Sequence, residues 1–171
     1  MQTMHTRRTF LKAAALSAVS MGMPALGKAR ERGKAPNFVI VFLDDSGWAD
    51  FRPFGKQDYP TPNVEQLARE GCWYQNFYVP QAVCSASRSA LLSGCYPGRT
   101  KVFGAHGPNA RGLDPKFATL GEVLKKRGYQ TAVFGKWHIG DQPETRPAAR
   151  GFDESSGLMY SNDMWAYHPT N

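Results

Sequence analysis

Asn37-Phe38-Val39-Ile40-Val41-Phe42-Leu43-Asp44-Asp45-Ser46-Gly47 is the stretch from which the fold is read. Six consecutive apolar residues, mostly β-branched or aromatic, leave no polar face. That is the pattern of a strand covered on both sides, as in a parallel sheet flanked by helices. The run stops at two adjacent carboxylates, and the carboxyl end of a buried parallel strand is where open α/β sheets gather their ligands. Paired Asp side chains can hold a hard divalent cation through oxygen. The same four residues, Asp44 to Gly47, also suit an exposed turn that caps the next element.

Downstream, Thr61 to Gly71 reads as a helix, with Thr61 as N-cap, Pro62 in its first turn and Gly71 closing it. Its stripe of Val64, Leu67 and Ala68 marks it as scaffold. Cys72 to Val79 is aromatic and β-prone, an expected strand. It leads through Pro80-Gln81-Ala82-Val83 into Cys84-Ser85-Ala86-Ser87-Arg88-Ser89-Ala90-Leu91-Leu92-Ser93-Gly94. On a helix the four-residue spacing puts Cys84 and Arg88 on one face, one turn apart. Cys84 then lies in the first turn, where free N–H groups and the helix dipole favour negative charge. Small neighbours leave room for a nucleophile aimed at an anionic substrate, and Leu91 and Leu92 anchor the helix.

Residues 94–114 are rich in Gly, Pro and basic side chains, hence a loop over the site or on the surface. Arg99, Lys101, His106 and Arg111 could touch an anion there, but solvated loop positions are the ordinary state of such residues. Thr119 to Gly128 is a second scaffold helix opened by a Thr119/Glu122 capping box. Tyr129 to Phe134 is the next strand, so helix and strand form an α/β unit. After it comes Gly135-Lys136-Trp137-His138-Ile139-Gly140. In extended chain, Lys136 and His138 share a face and Trp137 points away. A fixed cation beside an imidazole suits anion binding and proton transfer to a leaving oxygen; taken alone, the tripeptide also fits a surface strand end.

The 171 residues allow one substantial core. Of 21 basic and 14 acidic residues, seven basic and one acidic fall within residues 1–34. Residues 35–171 therefore carry 14 basic against 13 acidic, a net of +1, which excludes a nucleic-acid footprint. The basic leader contains Thr6-Arg7-Arg8-Thr9-Phe10-Leu11-Lys12 before an apolar run to Leu26. This resembles the twin-arginine export signal, and the run is too short and too rich in Ala, Ser and Gly to span a membrane. Residues 1–34 are thus expected to be an export signal and linker. That implies the twin-arginine machinery as partner, a periplasmic or extracellular bacterial location and no integral span in the mature chain. Cys72, Cys84 and Cys95 show neither C-x-x-C nor zinc-finger spacing. The odd number fits one special Cys plus two that are buried or paired.

The Cys84 block resembles the signature of the type I sulfatases, Cys-x-Pro/Ala-x-Arg with a Leu-Leu-Thr/Ser-Gly tail. Gly128-Tyr129-Gln130-Thr131 through Gly135-Lys136-Trp137-His138-Ile139-Gly140 is similar to the second signature of that family. Gly151-Phe152-Asp153 and Tyr160-Ser161-Asn162-Asp163 match two further segments. The resemblance implies an alkaline-phosphatase-like α/β fold, a mostly parallel sheet flanked by helices, incomplete here. It implies sulfate-ester hydrolysis with Cys84 oxidised to formylglycine by a maturation enzyme, and Asp44, Asp45 and position 84 holding Ca2+ (or Mg2+). Arg88, Lys136 and His138 inherit active-site roles, and Ser161 a weaker place beside the substrate, a sulfated small molecule or glycan. Ala86 departs from the commoner Pro, which bears on which maturation system acts.

Family members continue for hundreds of residues beyond a segment like 35–171, and carry later metal ligands there. The chain is therefore expected to be the N-terminal part of a catalytic domain, poorly stable and inactive by itself. Competing readings are a phosphate or phosphonate ester hydrolase of the same superfamily and a non-catalytic fragment binding sulfated glycan. A thiolate phosphatase fits less well, because its Cys-x5-Arg loop needs Arg where Ala90 stands.

Overall fold

The computed structural model describes residues 35–161. The export segment read at 1–34, and Asp163 and His168 in the tail, lie outside the described residues. The chain divides into two compact units, Met1–Phe42 and Leu43–Asn171. The described part of the first, residues 35–42, has no regular secondary structure.

In the second unit a 3-10 turn at Trp48–Asp50 precedes helix α1 (Pro62–Glu70), helix α2 (Cys84–Ser93) and the single-turn α3 (Pro97–Thr100). Helix α4 (Leu120–Lys125) and strand β1 (Ala132–Phe134) follow, then 3-10 turns at Pro143–Thr145 and Pro147–Arg150, and strand β2 (Glu154–Ser156). β1 and β2 pair in parallel, Ala132 opposite Glu154 and Phe134 opposite Ser156. Asp153 sets that register. Its carboxylate accepts from the Thr131 backbone N–H at 2.9 Å and from the Thr131 hydroxyl at 3.0 Å. Its other oxygen takes Lys125 of α4.

Pairing continues beyond the strands: the N–H groups of Gly135, Trp137 and His138 donate to the carbonyls of Ser156, Leu158 and Met159. The two chains run so close that a Cβ on Gly157 would sit 2.1 Å from the Gly135 carbonyl oxygen. The core lies beneath this seam. Val102, Leu113, Trp137 and Ile139 are buried together, with Leu92, Phe117, Val133, Phe152 and Met159 packed against them. Trp137 meets Phe152 edge-on at 5.6 Å and donates its indole N–H to the Thr145 carbonyl. Fully buried Arg150 crosses the same region, donating to the carbonyls of Leu113 and Phe117.

Three expectations are corrected. Residues 38–43 form no strand: a buried parallel strand exists only by the ladders of its neighbours, and the one sheet among the described residues is the β1–β2 pair. Cys72 to Val79 is likewise irregular. Its aromatics make side-chain contacts instead, Trp73 meeting Phe54 edge-on at 5.3 Å while Trp48 donates to the Gln75 carbonyl. The strand expected over 129–134 shortens to Ala132–Phe134, because Thr131 is held by Asp153 and Gly151. Helices fare better. The Thr119/Glu122 capping box forms, although α4 ends at Lys125. α1 starts and stops as expected, but the Thr61 hydroxyl accepts the Arg52 N–H rather than capping its own helix.

Candidate active site

Helix α2 begins at Cys84 after extended Val83, and ends at Gly94 in the left-handed conformation that glycine adopts without strain. Ser85, Ala86, Ser87, Ser89 and Ala90 are buried, so only small side chains stand where neighbouring backbone comes close. The four-residue spacing then does what the sequence promised. Cys84 and Arg88 face one site.

That site is knit by charge. Lys136 Nζ lies 2.7 Å from Asp44 Oδ2 and 3.3 Å from Cys84 Sγ. The Arg88 guanidinium pairs with Asp44 Oδ1 at 3.2 Å and donates to the Lys136 carbonyl at 2.6 Å. The two cationic side chains are 11% and 12% exposed against 38% for Asp44, so the cations are packed down while the carboxylate meets solvent. The hydrogen bond from Lys136, with help from Arg88, holds the Asp44 carboxyl below its ordinary pKa against the opposing effect of burial. Burial works against the Lys136 ammonium, but its bonds to Asp44 and Cys84 prevail and raise its pKa. Both groups are charged at neutral pH.

Asp44, Asp45 and Cys84 each offer one atom within 4.8 Å of the others. Oxygen ligands on one calcium at ~2.3–2.6 Å can stand no farther apart than roughly 4.6–5.2 Å, so the spacing fits a shared dication. Asp45 has φ 54, a left-handed backbone that turns the chain sharply between the two carboxylates. Two carboxylates suit a hard cation, whereas the Cys84 sulfur is a soft donor, and three groups are fewer than the six to eight oxygens calcium usually takes.

The segment after β1 supplies the rest. Trp137 points into the core, as alternation requires, and Lys136 points out to the site. His138 departs from that alternation: its φ is 59, so the chain turns there rather than extending. Its ring is 1% exposed, stacked edge-on against Tyr160 at 5.6 Å, with Nε2 2.8 Å from the His106 carbonyl oxygen. Burial first, then the nearby Lys136 and Arg88 charges, lower its pKa, despite the bond to His106, and keep it neutral. Ser161 is half-buried and is not joined to these groups by the bonds above.

Of the loop residues, Arg99, Lys101 and Arg111 are exposed, and Arg111 pairs with Asp114 at 3.1 Å. His106 is the exception. Its backbone N–H donates to Ser85 Oγ at 2.9 Å, and burial lowers its imidazole pKa. The sequence placed this segment in a loop over the site or on the surface and named the His106 side chain, but gave no sign of its main-chain bonds or of Gln81, whose side chain accepts the Gly104 N–H. Their partners lie too far away in the chain for spacing to reveal them. Cys72, Cys84 and Cys95 are all free thiols, so the pairing left open for Cys72 and Cys95 is absent.

Residues 36–171 match the sulfatase family model. The chain belongs to the sulfatase family. It is similar to human arylsulfatase A, 40% identical over 153 residues that cover 84% of this chain and 30% of that protein. Human N-acetylgalactosamine-6-sulfatase is 39% identical over 131 residues, 71% of this chain and 25% of the relative. Among solved structures, Ps i-CgsB superposes with a TM-score of 0.65 at 34% identity, covering 69% of this chain and 27% of that one. PsFucS1 sulfatase from Pseudoalteromonas sp. gives 0.51 at 34%, covering 61% and 21%. This sulfatase chain thus spans less than a third of the length of these relatives. Its fold is the alkaline-phosphatase-like α/β arrangement, and its family is one of sulfuric ester hydrolases. No helix among the described residues is long and apolar enough to cross a membrane.

Proposed function

We propose that this sulfatase segment carries the nucleophile and half of the charged cradle of an exported enzyme that hydrolyses sulfate esters. The observation that carries the reading is the lysine ammonium 3.3 Å from the Cys84 sulfur, shared with a carboxylate that also binds Arg88. A sulfate ester surrounds its sulfur with anionic oxygens, so attack on it needs concentrated positive charge at the oxygens. Arg88 and Lys136 provide that charge in fixed positions that need no rearrangement during the reaction. Asp44 keeps both cations in place and, with Asp45 and the oxygenated residue 84, would hold the Ca2+ or Mg2+ that further polarises the sulfate. Formylglycine at position 84, made from Cys84 by a maturation enzyme, supplies in its hydrated form an oxygen nucleophile and a second hydroxyl through which the sulfate is released. His138 lies beside these groups and exchanges a hydrogen bond or proton with a site oxygen, and Ser161 borders the substrate.

The substrate is a sulfated small molecule or glycan; the relatives include both an arylsulfatase and an N-acetylgalactosamine-6-sulfatase. A twin-arginine signal over 1–34 takes the folded protein to the bacterial periplasm or beyond. The test is the protein as its own host matures it. The peptide containing position 84 should have lost its sulfur by mass, and an aryl sulfate should turn over faster than the matching aryl phosphate. An unaltered thiol in an active enzyme, or preference for the phosphate, would end this reading.

A further inference from the structure

A short stretch of main chain, Gly104 to His106, sits between the nucleophile's helix and the imidazole, and the function above assigns it nothing. Its bonds form a chain. The Gly104 N–H donates to Gln81 Oε1 at 3.1 Å, three residues before Cys84. The Gly104 carbonyl accepts the Ala86 N–H at 3.1 Å, which is one of the unpaired donors of the first turn of α2. The His106 N–H donates to Ser85 Oγ, a side chain with no exposure at all. The His106 carbonyl then faces His138 Nε2 at 2.8 Å. Residues on both sides of position 84 and the buried imidazole are thus tied to the same three residues.

A carbonyl oxygen can only accept, so the ring nitrogen facing it must carry the hydrogen. In a neutral imidazole the other nitrogen then bears the lone pair. That atom, Nδ1, is buried and has no hydrogen-bond partner among the described residues. Tyr160 against the ring closes off rotation.

We propose that Gly104–His106 is a positioning element: its main chain holds His138 as the Nε2–H tautomer, with Nδ1 as the acceptor, and locks that ring in place relative to residue 84. The catalytic use of this geometry rests on the sulfatase reading; the tautomer itself does not.

The experiment has two arms on the mature full-length protein. Nitrogen-15 spectra of histidine-labelled protein at neutral pH, with the His138 signals identified by their loss in His138→Gln, should show the Nε2–H form. The Nδ1–H form, or an even mixture, would overturn the proposal whether or not any sulfate ester is hydrolysed. In the second arm, Gln81→Met removes the acceptor for the Gly104 N–H and keeps side-chain length, whereas Gln81→Glu keeps an acceptor. The Met variant should lose about 10- to 100-fold in kcat with KM changed less than about threefold, a cost typical of small misplacements. It should also show a mixed His138 tautomer, and the Glu variant should recover both. Gly104→Ala strains the same stretch, since φ there is +66 and no atom lies within 4 Å of the added carbon. It should reproduce the Met variant's kinetics. Wild-type kcat and an unmixed tautomer in both Gln81→Met and Gly104→Ala would refute the role. If wild-type protein hydrolyses no sulfate ester, the enzymatic reading fails and the spectra alone decide the tautomer.

Discussion

Asp44 serves two cationic side chains with one carboxylate, whereas the sequence reading expected it as a metal ligand and gave no sign of these partners. Replacing Lys136 by Met removes the ammonium between Asp44 and Cys84 and should cut kcat of the full-length enzyme by about 10²–10³-fold, the usual cost of losing one preorganised charge. Aryl-sulfate kinetics would measure it. Because the Lys136 pKa is raised from 10.5, its deprotonation should produce no fall in rate below about pH 10. That Cys84 and Arg88 share one side of α2 was legible because helical periodicity fixes which near neighbours share a face, whereas the alternation that paired Lys136 with His138 fails where the chain turns at His138. His106 was not legible. Its importance comes through main-chain atoms whose partners are 21 and 32 residues away, and its side chain carries none of the signal.

At the scale of elements, the seam between β1 and β2 is the frame on which Lys136 and His138 hang. Gly157→Ala would drive a methyl into the Gly135 carbonyl at a φ of +141, and should cost roughly 2–3 kcal/mol in urea unfolding. Gly107→Ala meets nothing and should be neutral. Asp153, at the head of the seam, has its carboxyl pKa lowered to about 2, first by Lys125 and then by Thr131. A pKa depressed in the folded state contributes stability above the unfolded value near 4, and that contribution is lost as pH falls toward 2. Asp44, lowered as well, adds to the same acid limb. The urea midpoint should therefore drop between pH 4 and 2, and less steeply in Asp153→Asn. Helix limits were readable because caps are local: Pro62, Gly71, Gly94 and the Thr119/Glu122 pair all stand at or beside an observed end. The strand read at 38–43 was not borne out, since an apolar run shows what a segment would bury and says nothing of the partners that make a ladder.

For the molecule as a whole, exposed apolar surface is the governing fact. Val39, Val41, Tyr74, Phe77, Tyr78 and Phe134 are all largely open to solvent. Large apolar side chains left open in both units favour association. The 171-residue polypeptide by itself should bind a hydrophobic dye and self-associate in light scattering. A monomer that leaves the dye dark would contradict that. The bonds around Gly104 to His106 have a further outcome in time rather than in space. The amide hydrogens of Ala86, Gly104 and His106 are each covered by a partner in another part of the chain, and releasing any one requires the same stretch to lift. Their deuterium uptake should proceed at one common rate, a single opening shared by the first turn of α2 and a stretch eighteen or more residues further along the polypeptide.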